Sequence, residues 1–189
     1  MSNKYPEYKS FSLSAVNREI LSIWNKEKTF EKSLEVRQGH PLYVFYEGPP
    51  SANGMPGIHH VIARTIKDIF CRYKTMKGYL GERKAGWDTH GLPIELNVEK
   101  KVGKPGLKIS PTEFRQKCRE YARRQIDGQR TDFMRMGVVG DWSNPYLTMD
   151  FKFEADIVRA LSRIVDNGHL HKGFKPVHWC MDCASALAE

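Results

Sequence analysis

An α/β fold built on a parallel sheet is the class this sequence predicts, and three observations carry it. An apolar, β-rich run from Leu42 to Tyr46 breaks at Gly48, Pro49 and Pro50, as a buried strand does where it ends in a loop. Ile62, Ile66, Ile69, Phe70 and Tyr73 then recur at spacings of three and four, the period of a helix with one apolar face. A second run, Tyr79 to Trp87, reads as another strand leading into Asp88. Strand, helix, strand in that order favours parallel pairing, which gathers the loops at the carboxyl ends of the strands. The loop after the first strand and Asp88 are therefore expected side by side.

The elements follow in order. After a polar start, Ser14 to Leu34 reads as one amphipathic helix with Val16, Ile20, Ile23 and Trp24 on a single face. Residues 1–40 thus form a helical N-terminal segment, and the strand and loop begin at residue 41. Pro93 to Val102 predicts a short helix, and the Gly, Lys and Pro content of Gly103 to Ser110 predicts a surface turn. Ser110 has the position of an N-cap, with Pro111 opening the next helix and Glu113 three residues on. That helix is expected to run to Met136, with Gly128 as a weak point. Its arginines alternate with Glu120, Asp127 and Asp132, a solvated face rather than a basic stripe. Gly140 to Pro145 reads as a loop, and Asp150 as the start of a helix that turns Ile157, Leu161 and Ile164 inward and ends at Gly168. Residues 41–168 then make one domain, and 169–189 a separate strand-like region.

With 189 residues, 40% of them hydrophobic, the chain can bury one respectable core. No apolar run approaches the ~20 residues of a membrane-spanning helix, and MSNKYPEYKS lacks the apolar stretch of a secretory signal, so a cytoplasmic protein is expected. Thirty Lys and Arg against 22 Asp and Glu give a net charge of +8, which suits a polyanionic partner. Cys71 and Cys118 stand alone, whereas Cys180 and Cys183 form a CxxC. That pattern argues against a disulfide framework and for half of a metal site.

The chemistry concentrates in EGPPSANGMPGIHH, Glu47 to His60, and GWDTHGLPIE, Gly86 to Glu95. A glycine-bearing loop that runs into a helix offers unpaired backbone N–H groups and a partial positive charge to a phosphate. His59 and His60 stand at that helix start and can donate to phosphate oxygens whose charge grows during attack at phosphorus. Neither the GxGxxG nor the GxxxxGK[ST] pattern is present.

Taken together, these two strings resemble the class I aminoacyl-tRNA synthetases, and the GWD followed by HGLP is similar to the isoleucyl branch of that class. The resemblance covers essentially the whole chain. It implies the first half of a Rossmann-like, HUP-type parallel-sheet catalytic domain, followed by the start of a zinc-ribbon or editing insertion. It implies ATP as a substrate with Mg2+, isoleucine and tRNA(Ile) as partners, and a monomeric full-length enzyme with Zn2+ as a candidate second metal. Carried over residue by residue, His60 matches the second His of an HxGH loop. Gly57 occupies the place of the first His, and His59 that of the Gly, so His59 is expected to stand in for the missing imidazole. Asn53, Gly54, Gly57, His59 and His60 are then the ATP-binding residues, and Gly48, Pro49 and Asp88 hold the amino acid, with Asp88 on its α-ammonium. Trp87 is expected in the core. Cys180 and Cys183 resemble the first half of a zinc ribbon. A free-standing nucleotide- or RNA-binding module on a synthetase scaffold is the competing expectation.

Overall fold

The computed structural model describes residues 10–187. The chain divides into two compact units with the seam between Asp150 and Phe151. The sequence suggested a seam after residue 168. In the structure the last helix groups instead with the segment that follows it.

Among the described residues, the first unit begins with α1 (Leu13–Glu27) and α2 (Thr29–Glu35) rather than one continuous helix. Lys28 separates them with φ 52° and ψ 49°, so its backbone N–H turns back onto Trp24 and Asn25 and closes α1. That left-handed turn is invisible to apolar spacing, because a Lys carries no signature of it. Ser12 caps α1, accepting from the N–H of Ala15.

Strand β1 (Leu42–Tyr46), helix α3 (Ile58–Met76) and strand β2 (Leu80–Trp87) form the expected parallel unit, with Leu42 beside Leu80 and Tyr46 beside Lys84. Helices α4 (Leu92–Val102) and α5 (Pro111–Arg135) follow, and strand β3 (Asp141–Leu147) joins β2 in parallel to give the order β1-β2-β3. The sequence suggested a loop at 140–145, since Asn144 and Pro145 are poor strand formers. Pro145 is tolerated because β3 borders only β2, and the register slips between Lys84 and Gly86 where β3 is irregular. α5 begins as expected, with Ser110 Oγ accepting from Glu113 N, and runs unbroken through Gly128.

The core lies between β2 and the helices α4 and α5. Trp87 and Phe133 are fully buried, with Ile94, Val98, Phe114, Ala122 and Ile126 around them. Burying a side chain of this size stabilises by roughly 1.5–3 kcal/mol each. Helix α3 departs from expectation. Ile62, Ile66, Ile69, Phe70 and Tyr73 remain 51–60% exposed, while Arg64 and Cys71 on the opposite side are buried. The helical period was legible, but the face that packs on the sheet is the polar one.

The second unit contains α6 (Phe151–Asp166) and a two-residue hairpin, β4 (Trp179–Cys180) with β5 (Ser185–Ala186). Ile157, Leu161 and Ile164, expected inward, are 46–49% exposed, and α6 has no buried residue.

Candidate functional site

The loop after β1 is held as an extension of the sheet. Asp88 N donates to Pro50 O at 2.9 Å, and Ala52 N donates to Asp88 O at 2.7 Å, so Ser51 and Asp88 pair like neighbouring strand residues. The carboxyl ends of β1 and β2 therefore meet, and Asp88 lies beside the loop as the topology required. Its Oδ1 faces the His90 N–H and the Thr148 hydroxyl, both at 3.4 Å, and the side chain stays partly exposed.

Gly57 caps α3 and begins its first turn. Its N–H donates to His60 Nδ1 at 3.0 Å, which fixes the His60 tautomer: Nδ1 accepts, and the proton sits on Nε2. Burial, followed by the nearby His59, Arg64 and Lys67, holds His60 below the usual imidazole value, so the ring is neutral near pH 7. The His59 ring stacks obliquely on it, 3.9 Å between centroids. A Cβ placed on Gly57 would lie 2.8 Å from His59 Cε1 and 2.9 Å from its Nδ1. His59 thus folds back into the space that a side chain at 57 would fill. Gly54 takes φ +79°, a left-handed conformation that suits glycine, and its side of the loop is open.

Beneath the loop lies a charge cluster that sequence reasoning missed. Glu47 is 6% exposed at the end of β1 and pairs with Arg64 at 3.2 Å and with Lys67 at 2.5 Å, both on α3. The Arg64 guanidinium stacks 3.8 Å above the Phe133 ring, and its Nη2 is buried without a hydrogen-bond partner. Burial pulls Arg64 below its ordinary value, opposed by Glu47. The Tyr146 hydroxyl donates to the Glu47 carbonyl. Glu47, Arg64 and Lys67, with Gly48, Pro49, Pro50, Ser51, His60 and Ala63, line a cleft of about 240 Å3. Two cations and an imidazole against one carboxylate leave the cleft suited to an anion. The available signal was positional: Arg64 and Lys67 lie one and two turns after His60, on the face of α3 opposite its apolar stripe.

The loop is also clamped from α5. Gln129 is 3% exposed; its Nε2 donates to Ser51 O at 3.0 Å and Gly54 O at 2.9 Å, while its Oε1 accepts from the Trp87 indole at 3.0 Å. The Tyr121 hydroxyl and Asn97 Nδ2 both donate to Asn53 Oδ1, at 2.8 and 2.9 Å. A glutamine inside the stripe Phe114, Tyr121, Ala122, Ile126, Phe133 was the clue to this clamp. Trp87 is core, as expected.

Cys180 and Cys183 sit across the β4–β5 turn, with Cys183 N donating to Cys180 Sγ at 3.4 Å. That bond holds the Cys180 thiol below its ordinary value. Among the described residues no group of three or more His, Cys, Asp or Glu converges, so these two thiols by themselves fall short of the four ligands that tetrahedral zinc takes. No helix among them is long and apolar enough to cross a membrane.

Residues 19–189 match the family model described as tRNA synthetases class I (I, L, M and V). The chain is 57% identical over 171 residues to the isoleucine--tRNA ligase of Shewanella oneidensis, and equally so to that of Shewanella halifaxensis. Each alignment covers 90% of this chain and 18% of the relative, so the chain spans about a fifth of the length of these proteins. Among solved structures, a LeuRS of Agrobacterium radiobacter K84 in ternary complex with tRNA and LeuAMS superposes with a TM-score of 0.66 over 90% of this chain and 20% of that one, at 20% identity. That likeness is one of fold.

Proposed function

The chain belongs to the class I tRNA synthetases (I, L, M and V), and from that premise we propose that it is the N-terminal catalytic part of an isoleucine--tRNA ligase. The observation that carries the reading is the meeting of two elements in one place: the Gly48–His60 loop and Asp88, joined by backbone hydrogen bonds over a cationic cleft.

In this reading the isoleucine carboxylate attacks the α-phosphorus of ATP, the α–β bridging bond breaks, and pyrophosphate leaves with the bonding electrons. Asp88 holds the α-ammonium by charge and hydrogen bonding, and Gly48 and Pro49 form the small apolar wall beside it. His60 presents its Nε2–H to the phosphates. Aimed donors of this kind act where charge develops, without needing to reorganise. His59, seated over Gly57, supplies a second imidazole to the same oxygens. Asn53, Gly54 and Gly57 form the backbone of the nucleotide loop. Mg2+, bound with the triphosphate, screens its charge. The transfer to tRNA(Ile), the cytoplasmic location, and a zinc site completed by residues beyond Cys180 and Cys183 belong to the longer protein in this reading.

The test is calorimetric binding of a non-hydrolysable isoleucyl-adenylate analogue to this chain, with the leucyl analogue as competitor. Preferential binding of the isoleucyl compound supports the reading, and equal or absent binding overturns its specificity. The chain alone is expected to show negligible ATP–pyrophosphate exchange, since it spans 18% of its relatives.

A further inference from the structure

Tyr121, Gln125 and Gln129 follow one another at four-residue intervals on α5, and all three end on the loop that follows β1. Tyr121 donates to the Asn53 side chain. Gln125 Oε1 accepts the Gly54 N–H at 3.0 Å. Gln129 spends both ends of its amide: the two donors go to the carbonyls of Ser51 and Gly54, and the acceptor takes the Trp87 indole. Trp87 directly precedes Asp88. One buried carboxamide thus ties the loop to the strand end that carries the carboxylate.

From this geometry we infer that the Tyr121–Gln125–Gln129 stripe is a positioning device, with Gln129 at its centre, that holds the nucleotide loop and Asp88 in one fixed frame. The inference rests on the reading that this loop receives a nucleotide. A loop carrying Gly54 at positive φ has little stiffness of its own, and ordering it when a ligand arrives costs affinity. Side chains fixed on a 25-residue helix remove that cost in advance. The carboxamide is also the only uncharged side-chain group that donates twice and accepts from one terminus, which is what two carbonyls and an indole N–H demand. None of these residues touches the cleft at Arg64 and Lys67, so their role is separate from charge binding.

Two substitutions split the two ends of the amide. Gln129→Glu keeps an acceptor for the Trp87 indole but turns the donors at Ser51 and Gly54 into a repelling oxygen. Gln129→Met keeps the volume and loses every bond. Backbone amide exchange by NMR is read at Ala52 and Gly54, together with the Trp87 indole resonance and the affinity for MgATP. Positioning predicts faster exchange at both amides in both variants, an unmoved indole signal in the Glu variant alone, and about ten-fold weaker MgATP binding with the remaining core amides still protected. Gln125→Ala, outside the core, is expected to accelerate Gly54 exchange by itself, and it decides the matter if the Gln129 variants do not fold. Wild-type loop exchange in Gln129→Met, or in Gln125→Ala where that variant must decide, overturns the inference. A wild-type chain that does not bind MgATP counts against the proposed function, while the exchange measurements still decide the positioning role.

Discussion

Glu47 and His60 show how much single residues settle here. Glu47 is buried, and its carboxylate compensates Arg64 and Lys67 at once. Replacing it with Gln leaves the Arg64 guanidinium buried without a counter-charge, a change that costs on the order of 3–5 kcal/mol. Glu47→Gln is therefore expected to lower the urea midpoint strongly, and a midpoint within error of wild type would show that solvent already compensates Arg64. His60 makes a prediction in pH. Its folded value lies below 6.5, chiefly through burial, so the unfolded chain takes up the proton first as pH falls. Its contribution to stability is complete above pH 6.5 and is lost as pH drops through the lowered folded value. An NMR titration in which the His60 ring titrates at or above 6.5 would contradict this. The placement of Asp88 and His60 beside the loop was legible from the order of strand, loop and helix. Glu47, Arg64 and Gln129 were not, because their contacts come from partners 17 to 78 positions away.

Elements were read well in kind and less well in orientation. β1, α3, β2, α4 and α5 all lie where period and capping put them, since those signals are local. Orientation is not local. α3 carries a clean apolar stripe, yet it packs its Arg64 and Cys71 side inward and leaves the stripe in solvent. Ile66→Lys accordingly removes no buried contact and is expected to change the unfolding free energy of this chain by less than about 0.5 kcal/mol. An inward Ile66 would give a loss of roughly 2 kcal/mol or more, which a thermal melt distinguishes easily. β3 was missed for a related reason: Asn144 and Pro145 argue against a strand, and only pairing with β2 makes one.

At the scale of the whole molecule, the exposed surface is the outstanding property. Ile58, Ile62, Ile66, Ile69, Phe70, Tyr73 and Met76 are 51–76% exposed along one helix, and Leu42, Val44 and Tyr46 are 49–63% exposed on β1. A stripe of this extent exceeds the scattered apolar groups normal on a soluble monomer. The 189-residue chain is expected to self-associate with rising concentration in analytical ultracentrifugation, and a triple change of Ile62, Ile66 and Ile69 to Glu to suppress that. A monodisperse monomer at high concentration would refute it. The sequence by itself determined the parallel α/β class, the family, and the two strings that carry the chemistry, because strand and helix periods and loop residues are written in nearest neighbours. Only the tertiary structure decided that the α3 stripe faces outward, that Glu47 is buried against two cations, and that α5 grips the loop. Those are contacts between distant residues, and the sheet, not the local pattern, chooses which faces meet.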